Sequence, residues 1–557
     1  MPHSQSELFD GTPRFSDSKL AALALSGDPG GAWRAALGAD PKSGLQTVAG
    51  DFAVGLQVSP QRCVLAVDRF SIRSLCYRVD DGNLRFAARA DELADSSPEI
   101  DPQAIFDYLY FHVIPSPRTI YRGVYRLPAG HFAVFENGQL TVASYWVPTF
   151  EEARNVSFDD LKVEFKQLLR DAVSKQLDGS KPACFLSGGT DSSTIAGMAA
   201  LSSESAVSTY SIGFDAQGYD EMEFARLAAK HFKTEHHEYY VTPADLVRSI
   251  PSVAAHFDQP FGNSSALPAY YCAKMAHDDG VEKLLAGDGG DELFGGNTRY
   301  AKQKVFDWYG NIPEWARVKL LEPIAGLSWV NQIPVARKAA SYVKQAKVPM
   351  PDRLMTYNLL SRLGVEDVLT PGLLAQVDQR GPVDQQRSLW AEARADNIVN
   401  RMLAFDWRYT LADCDLPKVV GTTELAGIGV GFPMLDDALL AFSLRLPTSY
   451  KLKGFKLRWF FKEALRGFLP DEILTKKKQG FGLPFGVWVN NTPQLMVLAK
   501  DSLEGLADRG VVRADFVQLL LTKHLPEHPG YYGEMVWIMM MLEQWLAAKA
   551  PRFKLGN

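Results

Sequence analysis

Phe185-Leu186-Ser187-Gly188-Gly189-Thr190-Asp191-Ser192-Ser193 decides the fold of the larger part of this chain. A short apolar run, Ala183-Cys184-Phe185-Leu186, feeds two adjacent glycines, and helix-forming sequence over Thr194 to Leu201 follows at once. An apolar strand, a glycine turn and a helix form the repeating unit of a parallel sheet with helices on both faces. Glycines let the backbone approach a phosphate closely and present N–H groups to it, and a helix N-terminus adds partial positive charge. Ser187, Thr190, Ser192 and Ser193 add hydroxyl donors. Asp191 would repel bare phosphate, so in such a loop it makes sense as a magnesium ligand. The spacing is not that of the Walker loop, which needs G-x-x-x-x-G-K followed by Ser or Thr. The plain alternative is a helix N-cap behind a glycine turn.

A second cluster, Gly287-Asp288-Gly289-Gly290-Asp291-Glu292-Leu293-Phe294-Gly295-Gly296, follows another expected strand, Glu282 to Ala286. In open α/β sheets, ligands bind at the C-terminal ends of strands. Both clusters sit at such ends, and Asp191 and Asp291 are expected to share a metal ion. Ser208 to Phe214 reads as a further strand, and Phe158 to Gln176 carries apolar residues at helical spacing. Residues from about 45 to 147 differ. They read as short strands (Asp51–Val58, Cys63–Val67, Leu84–Ala88, His131–Phe135) parted by turn signals, with one helix near Pro102 to Tyr110. The boundary is placed between 147 and 157, giving domains 1–150 and 155–557. The stretch from about 300 to 400 reads as helices packed around the second domain.

The chain has 557 residues, 46% hydrophobic and 22% charged, with a net charge of −6. That length suggests two or three domains. The absence of a basic excess argues against a nucleic-acid partner. No run of apolar residues is long enough to span a bilayer, and the polar N-terminus has no signal-peptide pattern. The expectation is a cytoplasmic protein with no membrane partner. The five cysteines are scattered and form no C-x-x-C pair, which predicts reduced thiols. His236-His237-Glu238 falls on a strand, where neighbours face opposite ways, so a shared metal is not expected there.

The two glycine clusters resemble the pyrophosphate loop and the second metal loop of the asparagine synthetase family. Val67-Asp68-Arg69-Phe70-Ser71-Ile72-Arg73-Ser74-Leu75-Cys76-Tyr77, Leu127-Pro128-Ala129-Gly130-His131 and Lys476-Lys477-Lys478-Gln479-Gly480-Phe481 resemble further family segments. The resemblance implies an α+β, N-terminal-nucleophile-like β-sandwich domain followed by an α/β parallel-sheet synthetase domain of the adenine nucleotide alpha hydrolase type. It implies ATP and Mg2+ as cofactors, with a carboxylate adenylated and then transferred to an amine; both substrates are small molecules or peptides, and a homodimer is left open. By position, Leu186, Ser187, Gly188, Gly189, Asp191, Ser192, Ile212, Ala286 and Gly287 would hold the nucleotide. Asp191 and Asp291 would hold the metal, and Lys478, Asp288 and Asp291 would serve the chemistry. Lys476 and Lys477 could instead be a solvated basic run. Gln259 to Ser265 resembles a loop beside the acyl site, where Asn263, Ser264 and Ser265 either bind a carboxylate or form a turn.

The sequence departs from the family in two places. Relatives begin Met-Cys-Gly, and the cysteine's own α-amine serves as base. Here Pro2 follows Met1, no cysteine precedes Cys63, and the N-G-E segment is missing. The first domain is therefore expected to be inactive as a glutaminase. Around Leu416 to Leu425, relatives read L-x-K-x-D-R, with E-x-R-x-P later; here Val420-Gly421 and Gly429-Val430-Gly431 stand in those positions. This points either to an altered acceptor or acyl substrate or to a lost structural salt bridge. An intramolecular cyclase, like the β-lactam synthetases and lasso-peptide macrolactam synthetases, and a non-catalytic homologue are the alternatives.

Overall fold

The computed structural model describes residues 7–310, 312–321, 323, 334–477 and 482–556. Its larger part is built on five parallel strands in the order Glu235–Val241, Ser208–Phe214, Ala183–Phe185, Lys283–Leu285, Gly429–Gly431. Every residue of Ser208–Phe214 is buried, as a strand covered on both faces must be. From Ala183–Phe185 the chain next lays a strand on one side and later one on the other, where Cys184 pairs with Leu285. That reversal is the topological switch point, where such sheets open a crevice. The two glycine clusters leave the ends of these two neighbouring strands, so the register alone brings them side by side.

The helix Phe158–Ser174 buries Leu161, Phe165, Leu169, Ala172 and Val173, a stripe on one face, and Ser157 caps it by accepting from the Asp160 N–H. The helix after the first glycine loop runs Thr190–Ser202, four residues earlier than expected. Ser192, Ser193 and Thr194 therefore lie in its first turns rather than in the loop. The expected strand over 282–286 is three residues long; Ala286 prolongs the pairing with one N–H bond to the Gly431 carbonyl, 2.9 Å. In the helix Pro529–Lys549 every residue from Met535 to Glu543 is buried, and Tyr108 of the N-terminal part donates its hydroxyl to the Ile538 carbonyl at 2.9 Å.

The N-terminal part has a five-stranded antiparallel sheet in the order Glu7–Gly11, Phe52–Ser59, Arg62–Val67, His131–Glu136, Gln139–Ser144. A three-stranded sheet of Asn83–Ala87, Cys76–Asp80 and Tyr125–Arg126 packs on one face of it through Leu65, Val67, Tyr77 and Phe86. Ser18–Leu25 and Pro29–Leu37 cover the other face around Trp33. The helix expected near residue 102 runs Pro102–Phe111. All five cysteines are free thiols. No helix among the described residues is long and apolar enough to cross a membrane.

Candidate active site

The first loop is a close-packed cradle. Gly188 has φ +69°, and a Cβ there would lie 2.5 Å from the Ala225 nitrogen, so only glycine fits the turn. The second loop presses against the first: a Cβ on Gly287 would lie 2.7 Å from the Ser192 nitrogen. No side chain caps the N-terminus of Thr190–Ser202. An uncapped helix start facing a crevice is a ready anion site. The Ser187 and Ser192 hydroxyls, 3.0 Å apart, stand at its edge, and the Ser187 N–H donates to Ser192 Oγ at 3.1 Å.

Both loops open on one cavity of about 960 Å³. Leu186, Ser187, Gly189, Asp191, Ser192, Ile212, Gly287, Asp288 and Asp291 all line it. Gly188 and Ala286 do not: Gly188 is turned against Ala225, and Ala286 is buried in the strand pairing. Lys478 lies outside the described residues. Its neighbour Lys476 lines the cavity, ion-pairs with Glu221 at 2.9 Å and sits 4.3 Å from the Phe224 ring centroid. Lys476 is thus a packed, paired residue, not part of a solvated run. The Asn263 side-chain oxygen Oδ1 accepts from the Ser265 N–H (3.0 Å) and hydroxyl (2.5 Å), so that loop is an Asx turn. The neighbouring histidines part as their strand requires: His236 Nδ1 is 3.1 Å from Thr209 Oγ1, and His237 Nδ1 is 3.0 Å from Asp279.

Arg458 is the residue the sequence did not single out. It ion-pairs with Asp191 and, at 3.0 Å, with Asp291, drawing the two carboxylates to one point. Its guanidinium lies 4.4 Å from the Phe461 ring centroid, and burial pushes it down to about 9. Oxygen donors from two carboxylates suit a hard divalent cation. Among the described residues, no three His, Cys, Asp or Glu converge on such a site, so phosphate or water would complete it. The donor chemistry fits magnesium, provided that Arg458 yields its place.

Deeper in the cavity, Lys418 Nζ lies 3.2 Å from Asp415 and 3.7 Å from Asp288. Burial raises the Asp288 carboxyl above the usual carboxylate range, against the pull of Lys418. Glu292 is held well above that range, first by burial and then by the charges of Asp291, Asp415 and Asp406.

The asparagine synthase family model matches residues 164–547, and a glutamine amidotransferase domain model matches residues 35–146. The chain belongs to the asparagine synthase family. It is 25% identical over 484 residues to a glutamine-hydrolyzing asparagine synthetase 1 of Bacillus subtilis, covering 86% of this chain and 74% of that one. It is 27% identical over 465 residues to a putative glutamine-hydrolyzing asparagine synthetase of Mycobacterium bovis, covering 80% and 68%. A putative glutamine-hydrolyzing asparagine synthetase 2 of Methanocaldococcus jannaschii is 32% identical over 260 residues, covering 45% and 50%. Membership makes this an ATP-dependent, amide-forming ligase in general terms. In this member of the asparagine synthase family, Gly421 and Gly431, in the segments where the sequence departs from the expected pattern, are sterically closed. A Cβ on Gly421 would lie 2.5 Å from the Phe257 ring, and one on Gly431 would lie 2.6 Å from the Gln176 amide oxygen. Neighbouring side chains, the Phe257 ring and the Gln176 amide, occupy the space a larger residue would need.

Proposed function

We propose that the protein cleaves ATP between its α- and β-phosphates to adenylate a carboxylate, and passes the acyl group to an amine not drawn from glutamine. The observation that carries this reading is the convergence of an uncapped helix N-terminus, the Ser187 and Ser192 hydroxyls, Asp191 and Asp291 on one cavity. Loop N–H groups and hydroxyls meet charge that develops on a leaving pyrophosphate. Asp191 and Asp291 would hold magnesium, which when bound neutralises phosphate charge. Leu186 and Ile212 give the cavity apolar wall against which a nucleoside packs. Lys478 is proposed as the cation that follows the acyl phosphate. Asp288, held by Lys418, orients the second substrate.

Thiol chemistry supports a nitrogen source other than glutamine. Cys63 and Cys76, the only cysteines before the boundary, are buried, and burial pushes both thiols up to about 11. Neither offers a thiolate at neutral pH. The decisive measurement is ATP–pyrophosphate exchange over a panel of carboxylates. Asp191→Ala is expected to abolish exchange; normal exchange in that variant refutes the site.

A further inference from the structure

We infer that the basic helical arm over residues 298–347 is a docking surface for an anionic lipid membrane, entered by Trp315 and Val318 and held by exposed lysines. The inference goes beyond the ligase reading and does not depend on it. The arm is set apart by charge. Residues 298–347 carry nine Lys or Arg against three Asp or Glu, in a chain whose net charge is −6. It is also set apart by packing. The helices Thr298–Gly310 and Pro334–Lys347 close on a small core of their own, Phe306, Tyr309, Tyr342, Val343 and Ala346, separate from the large cores of the molecule. Phe306 and Tyr342 stack there with ring centroids 4.3 Å apart.

Arginines and lysines are used differently in this arm. Arg299 ion-pairs with the buried Asp406, and Arg317 lies 5.5 Å from the Tyr309 ring centroid. Lys302, Lys319 and Lys344 are exposed, and none has an acidic partner among the described residues. Such lysines are point charges on flexible stems, which suits a fluid anionic surface; bidentate recognition of a fixed partner uses arginine. Between the two helices the chain winds through Glu314–Ala316 and Arg317–Leu321. Trp315 and Val318 stand three residues apart and so share a face; they are 63% and 52% exposed, with the exposed Lys319 beside them. An aromatic and an aliphatic side chain held in water next to lysine gain by entering the boundary between headgroups and acyl chains, where Trp is enriched. A nucleic-acid face would set polar and charged groups there instead. Glu314 is also exposed and opposes the attraction, but the lysines outnumber it. No spanning helix is required, because such a surface binds from one side.

The test is co-sedimentation of the full chain with vesicles of phosphatidylcholine alone and of phosphatidylcholine mixed with phosphatidylserine. Binding to the mixed vesicles is expected to be about tenfold stronger, and to fall in about 1 M salt. Trp315→Ser is expected to weaken binding about tenfold, and the triple variant Lys302→Gln, Lys319→Gln, Lys344→Gln about a hundredfold. All four positions are exposed, so urea unfolding of both variants is expected to match the wild type. Should one variant fail to fold, the other decides. Absence of binding to the mixed vesicles overturns the surface, as does equal binding to both kinds or binding that both variants leave intact. Retention by an RNA oligonucleotide or by polyglutamate, without vesicle binding, overturns it in favour of a nucleic acid or an acidic polypeptide. Loss of ATP–pyrophosphate exchange bears on the ligase reading alone and leaves vesicle binding measurable.

Discussion

Arg458 shows what one residue does to this site. Asp191 and Asp291 come from loops a hundred residues apart and meet because a buried guanidinium stands between them. Replacing it by methionine leaves two carboxylates facing each other in a low dielectric. Arg458→Met is expected to cost about 3–5 kcal/mol of stability in metal-free buffer, the usual price of orphaning buried charge. Mg2+ can then occupy the vacated place, so urea unfolding of the variant should regain more stability on adding Mg2+ than the wild type does. An equal response in both proteins would show that the two carboxylates do not share a cation site. Asp191 and Asp291 were legible because glycines flank them in a strand–turn–helix frame. Arg458 was not. It sits in Lys456-Leu457-Arg458-Trp459, a charged stretch that reads like any other, and only the fold turns it inward. Asp415 was illegible for a related reason: a π-helical turn shifts its phase, and helical periodicity does not register the extra residue.

Elements with a clear period were read within a residue or two. Ser208–Phe214 and Phe158–Ser174 are such cases, because burial on both faces or on one stripe imprints itself on the sequence. Short helices such as Thr448–Lys451 leave no such imprint. Yet this four-residue helix places Lys451, fully buried, with Nζ 3.2 Å from Asn400 Oδ1 and 4.8 Å from the Phe150 ring centroid. Phe150 belongs to the segment joining the two parts of the molecule. Burial pushes the Lys451 ammonium down to about 7, against the opposing charge of Glu152. The unfolded lysine keeps its proton up to its ordinary value of 10.5, while the folded one gives it up above about 7. Between those values the unfolded chain binds more protons, so stability rises with pH across that window. Lys451→Met removes the dependence. From pH 7 to 9 the wild type is expected to gain about 2 kcal/mol on the variant in urea unfolding. A wild type that loses ground over that range would refute the assignment.

At the scale of the whole molecule, the N-terminal part holds the loops that reach the cavity. Arg126 donates to Asp258 at 2.5 Å across the junction, and the Ala90 N–H donates to the same oxygen at 2.8 Å. Burial alone would raise the Asp258 carboxyl; Arg126, the Ala90 N–H and Arg89 together more than offset it, and the group lies below the usual range. Four residues on, the Gly262 N–H donates to the His112 carbonyl at 2.9 Å, and a Cβ on Gly262 would lie 2.7 Å from that oxygen. The next residue is Asn263, whose amide nitrogen lies 3.5 Å from Asp415. A continuous set of contacts thus runs from the three-stranded sheet to the inner wall of the cavity. The N-terminal part, whose two thiols are buried, is tied to the rest of the molecule by contacts that shape the site. Arg126→Met orphans Asp258 and is expected to cost about 3–5 kcal/mol, read by urea unfolding. Adding Asp258→Asn removes the orphaned charge and should restore at least half of that loss. If the second substitution instead lowers stability further, the junction is held by something other than this pair. If stability returns but turnover does not, the pair's contribution lies in the placement of Gly262 and Asn263.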